Sequence, residues 1–360
     1  MGKIGKAFGG AIPVWFGLLV AIAAVVPSAG QQAGGEVPVW QSPDGPMDLH
    51  LADPVLIGAI DLHTHLDPDM SGGGQVARAM DVIDMARQAE ARGMRGFALK
   101  THMDVSSAAS AYYARKMVPG IEVFGRFALN LSSGGLNPAA VMQFVSMKGG
   151  WGRIVEMPTR DARPPQQENR PWVMPWLPLF PNNPSAVPIV VNGELTAEAK
   201  GIIELVSKLR TVDSNGTVVL ATGHATPEGH VLITRESRRL GVPTLVTHPN
   251  DMVSDAQYRE MKELGAFIEV NLDFYQEGDD AEEKIAFALK QISRLGAESI
   301  VMATDCGQMN NPTPADCIVL GARALRARGV TERQLDMMLK ENPARLLGLP
   351  PHASPASITP

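Results

Sequence analysis

Short apolar runs alternate with amphipathic stretches along most of this chain. Continuous apolar runs at 54–60 (extended by Asp61-Leu62-His63-Thr64-His65), 96–102, 121–129, 152–157, 217–224, 242–249, 266–271 and 299–305 predict strands buried on both faces. Between them, apolar residues recur at helical spacing over 77–92, 107–118, 138–148, 197–209, 227–240, 254–264, 280–295 and 313–328. Strand-helix alternation predicts a parallel sheet, and eight such units predict closure into a (β/α)8 TIM barrel.

The strand ends carry the candidate chemistry. The first run ends in His63 and His65, the second in Lys100 and His102, the fourth in Glu156, the fifth in His224, the sixth in His248 and the last in Asp305. Side chains alternate along a strand, so His63 and His65 are expected on one face, with Leu62 and Thr64 on the other. A lone His-x-His equally fits two solvated residues in a turn. Five strand ends repeating the same grammar change that balance, because barrel enzymes place their catalytic residues at the C-terminal ends of the strands.

Composition sets outer bounds. Residues 54–349, roughly 295 of them, suit one barrel domain. A net charge of −6 and the lack of a dense Lys/Arg block argue against nucleic acid as a partner and leave a small-molecule substrate. Residues 1–30 hold Lys3 and Lys6, an apolar stretch from 11 to 26 and a small-residue end, the pattern of a signal peptide. Export to the periplasm or the extracellular space follows; an uncleaved membrane anchor is the alternative, and only then is a membrane a partner. Residues 31–53 read as a linker or lead-in and 350–360 as a Pro-rich tail. Cys306 and Cys317 are the only cysteines, open either to one disulfide or to a free Cys306 thiol lining the site.

The His63-x-His65 pair, His224, His248, Asp305 and the closing Glu341-Asn342-Pro343-Ala344-Arg345 together resemble the amidohydrolase superfamily of metal-dependent hydrolases, in an uncharacterised branch. The resemblance implies that His63 and His65 bind the more buried metal, His224 and His248 the second, and that Asp305 binds metal and shuttles a proton. One departure concerns the bridging ligand. Superfamily members usually supply a carboxylated lysine or a glutamate from the fourth strand, whereas here the lysine, Lys100, ends the second and Glu156 ends the fourth. Either Lys100 bridges as a carboxylysine, with His102 beside it on the same face, or Glu156 bridges and Lys100 clamps substrate. Glu156 has a plainer reading, a carboxylate satisfied by Arg126 or Arg153.

One or two divalent ions are expected, zinc first, with Mn, Fe, Co and Ni compatible with mixed imidazole and carboxylate ligands. A two-metal site would activate water for attack on an amide, ester or lactone; a one-metal site would leave His248 to stabilise the oxyanion. A metal-dependent decarboxylase and a non-catalytic exported metal-binding protein are the alternative readings. The long connection 159–188 carries Trp172 and Trp176, either as substrate walls or packed onto the barrel rim. Arg126, Asn130, Asn137, Asn271, Tyr275 and Gln308, at or after strand ends, are further substrate-contact candidates. An oligomer is compatible with the sequence.

Overall fold

The first apolar run divides in two. Asp53 accepts from the Val55 amide and caps a short 3-10 turn, Pro54–Leu56, whose proline presets the turn backbone. Gly58 then takes a φ of 80°, and strand β1 begins only at Ile60, running Ile60–Thr64. The expected strand start at 54 is corrected accordingly.

The computed structural model describes residues 48–69, 78–102, 105–162, 186–276, 279–309 and 311–351. Segment 1–30, Trp172, Trp176 and the tail beyond 351 lie outside the described residues. The chain divides into two units, Met1–Val39 and Trp40–Pro360, and all that is described belongs to the second.

After β1 come β2 (Gly96–Thr101), β3 (Glu122–Ala128) and β4 (Gly152–Glu156). An antiparallel hairpin follows, β5 (Val190–Val191) and β6 (Glu194–Leu195), turned by Asn192 and Gly193 with φ of 51° and 77°, as an Asn-Gly hairpin requires. The barrel then resumes with β7 (Val219–Ala221), β8 (Thr244–Val246), β9 (Phe267–Asn271) and β10 (Ile300–Ala303). The eight barrel strands are parallel in the order β1-β2-β3-β4-β7-β8-β9-β10. A parallel bridge between Thr64 and Cys306, with His65 N–H donating to Cys306 O at 2.8 Å, joins the last strand to the first. The expected (β/α)8 architecture is present.

Helices α1 (Val82–Ala91), α2 (Ser107–Met117), α3 (Pro138–Val145), α4 (Ala197–Lys208), α5 (Pro227–Leu240), α6 (Asp255–Glu263), α7 (Ala281–Leu295) and α8 (Pro314–Arg326) cover the strands. Most start where the sequence supplies a cap: Asp81, Thr196, Thr226, Ser254, Asp280 and Thr313 each accept a first-turn amide. Residues 48–53 lie against α1 and α8, with the Leu49 and Leu51 amides donating to Asp316 and Asp53 bonded to Arg326. This part of the lead-in therefore wraps the barrel.

Inside the barrel the strands change character along their length. The apolar cluster of Ile60, Ala98, Phe124, Ile154, Val219, Leu245, Phe267 and Val301 is closed off by Ala344, Leu346 and Leu347. On four of these strands the inward position two residues further along is charged: Lys100 follows Ala98, Arg126 follows Phe124, Glu156 follows Ile154 and Glu269 follows Phe267. Period two carries each of these four strands from apolar core to buried charge in one step.

Candidate metal centre

β1 departs from period two. It pairs Asp61 with Phe97 but Thr64 with Leu99, so it holds one residue more than β2 over this stretch, a β-bulge. Leu62 joins the interior cluster with Ile60, and the next residue, His63, also enters the barrel, its Nδ1 2.6 Å from Glu269 Oε1. The expectation that Leu62 and His63 face opposite ways is corrected by this bulge, which lets two consecutive residues point inward. Asp61 anchors the bulge by accepting from the His63 amide (3.0 Å) and from Thr304 Oγ1 (2.6 Å). Burial pushes the Asp61 carboxyl up to about 6 against these hydrogen bonds.

Asp305 is the meeting point. It follows β10 with a φ of 56°, the left-handed region that aspartate tolerates better than most residues. Its Oδ1 accepts from His65 Nε2 at 2.8 Å and lies 3.1 Å from His63 Nε2; its Oδ2 accepts from Asn271 Nδ2 at 2.9 Å. Its carbonyl accepts from Gln308 Nε2 at 2.8 Å. Burial alone would raise its pKa, but His63 and His65 outweigh that and hold the carboxyl well below the usual range. Burial drives His65 well below its ordinary value, so this ring stays neutral and able to offer a lone pair.

Ligand atoms of His63, His248 and Asp305 all lie within 4.8 Å of one another, the one such group of three among the described residues. The His248 ring is 5.5 Å from that of His63 and 5.1 Å from that of His224. His65 joins through the shared Asp305 oxygen and stacks on His102 at 5.1 Å. A metal fits this arrangement on one further observation: the buried His63 Nε2 and His65 Nδ1 have no hydrogen-bond partner. Buried polar atoms are rarely left so, and an unpartnered imidazole nitrogen such as His63 Nε2, 3.1 Å from the Asp305 carboxylate, suits a cation.

Two glycines allow the strand ends to approach. Gly223, with a φ of 62°, places His224, and a Cβ on it would overlap the Met157 carbonyl oxygen. Gly307 has a φ of 125°, and a Cβ there would overlap the His65 carbonyl oxygen. Gly307→Ala is therefore expected to destabilise the fold by about 1–3 kcal/mol, read as a lower urea midpoint at unchanged slope.

The other candidates separate. Lys100, buried, has its Nζ 3.4 Å from Glu156 Oε2, and burial lowers its pKa despite that carboxylate. Both Glu156 oxygens receive Arg126, Nη2 to Oε1 at 2.5 Å and Nε to Oε2 at 3.2 Å, with Thr247 Oγ1 donating to Oε1 at 3.0 Å. Glu156 is thus already satisfied, by Arg126 and not by Arg153, which reaches the Thr217 and Leu347 carbonyls. Arg126 itself is fully buried among carboxylates, which corrects its reading as a substrate contact. Asn130 is likewise committed, donating to His102 O and Thr159 Oγ1 and accepting from the Thr159 amide. Asn137 caps α3. Gln308 holds the Asp305 carbonyl, and Tyr275 is exposed. Cys306 and Cys317 form a disulfide, so the free-thiol alternative is set aside. Sequence reasoning passed over Glu269, a charge inside an otherwise apolar strand.

The fold is a (β/α)8 barrel with histidines, a lysine and carboxylates gathered at the C-terminal ends of its strands. Residues 58–269 match a family of unknown function (DUF6282), and the chain belongs to that family. Among solved structures, it is similar to the organophosphorus hydrolase from Deinococcus radiodurans, at 15% identity and a TM-score of 0.53 over 81% of this chain and 93% of that one. A protein engineered for organophosphate hydrolysis from a weak promiscuous lactonase template is similar at 14% identity and a TM-score of 0.53, covering 84% of this chain and 100% of that one. None of the curated proteins matches the sequence.

Proposed function

We propose that this chain is a metal-dependent hydrolase acting on an ester, lactone, amide or phosphotriester bond. The observation that carries the reading is the convergence of His63, His248 and Asp305 ligand atoms within 4.8 Å at the C-terminal mouth of the barrel. The solved structures with this fold that hydrolyse organophosphates or derive from a lactonase template support the substrate range. His63, His65, His224, His248 and Asp305 would hold the metal, zinc by default. Bound there, a divalent cation lowers the pKa of water towards ~7 and polarises the oxygen under attack. Asp305 would accept the proton of the attacking water and return it to the leaving group, with Asn271 orienting Oδ2.

Lys100 sets the number of cations. Glu156 already has Arg126, so it does not depend on the Lys100 ammonium, and the 3.4 Å contact is the longest of its ion pairs. Carboxylation of Lys100 by CO2, with release of two protons, would turn it from a cation into an anion, a change of two charges that one further divalent ion would balance. This favours Lys100 over Glu156 as the bridging ligand. Export is supported by the Cys306–Cys317 bond, since disulfides persist in oxidising compartments. No helix among the described residues is long and apolar enough to cross a membrane.

Metal content per chain, on protein purified without chelators, tests the reading. Near two equivalents are expected, falling to one or fewer in Lys100→Ala, with turnover of aryl ester, lactone or phosphotriester substrates lost on chelation. One equivalent insensitive to Lys100 would retire the carboxylysine and promote the one-metal decarboxylase. No metal at all would sink the proposal.

A further inference from the structure

Four buried charged side chains lie inside the barrel: Lys100, Arg126, Glu156 and Glu269, each at 0–1% exposure. Buried charges of this kind are costly unless each one is paired and hydrogen-bonded, so their arrangement calls for an account. Arg126 is the hinge of the set. On one side it grips Glu156 with Nη2 and Nε; on the other, Nη1 donates to Glu269 Oε2 at 2.8 Å and to the Leu62 carbonyl at 3.1 Å. Held from both sides, the guanidinium cannot rotate without breaking a charge-assisted bond. Glu269 is left with one free oxygen, Oε1, and that oxygen meets His63 Nδ1 at 2.6 Å.

The chemistry of that contact is directional. A carboxylate beside a guanidinium accepts and does not donate, so the proton in the contact sits on His63 Nδ1. As a metal ligand the ring must be neutral, and its lone pair is then confined to Nε2, the atom that faces Asp305 at 3.1 Å and has no hydrogen bond. The carbonyl of Leu62, the bulged residue that precedes His63, is bonded to the same Arg126 Nη1. One arginine therefore holds both the backbone that aims the imidazole and the carboxylate that sets its tautomer.

We infer that Glu269 is a positioning residue for metal binding: with Arg126 behind it, it fixes His63 with its proton on Nδ1 and its lone pair on Nε2 aimed at the candidate metal centre. The inference deepens the hydrolase reading and rests on it. Carboxylates that orient metal-binding histidines in this way typically contribute 10–100-fold in metal affinity.

Two measurements test it on the full-length protein. The first is the histidine 15N spectrum of the zinc-loaded wild type, with the His63 signal assigned by its loss in His63→Gln. A proton on Nδ1, with a strongly downfield resonance, is expected; a proton on Nε2 overturns the inference. The second is zinc affinity by chelator competition in Glu269→Gln, expected to be 10–100-fold weaker than wild type. Affinity within threefold of wild type, in a variant with unchanged circular dichroism, overturns the inference while leaving the hydrolase reading intact. Should Glu269→Gln fail to fold, the wild-type spectrum decides alone. Failure of wild type to bind zinc overturns the metal reading and this inference together.

Discussion

Asp305→Asn is expected to lower hydrolytic turnover by about 10²–10⁴-fold while leaving the fold intact. The substitution keeps shape and changes only charge and proton affinity. His65 Nε2 donates to Oδ1, so the amide oxygen of an asparagine would take that side and its NH2 group would face Asn271. Two amide donors would then oppose each other, but Asn271 Oδ1 is buried without a partner, and turning the Asn271 amide by half a rotation supplies the missing acceptor. The backbone has no reason to move, because asparagine tolerates the φ of 56° at this position as aspartate does. What disappears is the anion shared by two imidazoles and the group proposed to carry the proton. Turnover, metal content and unfolding midpoint measured on one preparation separate these effects. Turnover within tenfold of wild type at normal metal content would remove Asp305 from the proton path.

Much of this arrangement is legible in the sequence, and the exceptions have physical causes. Apolar runs of strand length alternating with helical periodicity foretell the barrel, because local pattern and overall topology agree in a strand-helix repeat. Helix starts are legible wherever a side chain caps them, as at Thr226, Ser254 and Asp280. The strand ends at His63, Lys100, His224, His248 and Asp305 stand out because polar residues close apolar runs there.

Three things were hidden. The bulge at Leu62 and His63 is a property of pairing with β2, set by a register shift between segments more than thirty residues apart, and no pattern within β1 announces it. Asp53 and Pro54 do carry a turn signal, but the apolar run that follows masks it. The Glu156–Arg126–Glu269 network is the third. Each member follows an inward apolar residue by two positions, so its inward direction can be read, but its partners lie on different strands and are fixed only by closure of the barrel. A charge in the middle of an apolar strand, as in Phe267-Ile268-Glu269-Val270, was the available signal.

Arg126→Met is expected to destabilise the protein by about 3–5 kcal/mol, the cost of leaving buried carboxylates without their cation. Methionine fills much of the volume, so the loss should be electrostatic rather than a cavity effect. Glu156 would then keep only Thr247 and the 3.4 Å contact to Lys100, which carboxylation of Lys100 would remove, and Glu269 only His63. The double variant Arg126→Met/Glu269→Gln distinguishes stability from function. It leaves Glu156 bonded by Thr247, removes the orphaned charge at position 269, and keeps an amide oxygen for His63 Nδ1. Removing a whole buried ion pair is commonly neutral or nearly so, whereas removing one partner is not. Urea unfolding should therefore place the double variant closer to wild type than Arg126→Met, a non-additive result expected of residues in direct contact. Zinc affinity should move the other way and stay low, because a neutral amide with no guanidinium behind it no longer pins the His63 tautomer. If the double variant regained both stability and affinity, the buried network would be a packing solution with no bearing on the metal centre. If it regained neither, Arg126 would be holding the barrel through the Leu62 carbonyl and the bulge, and the ion pairs would be secondary.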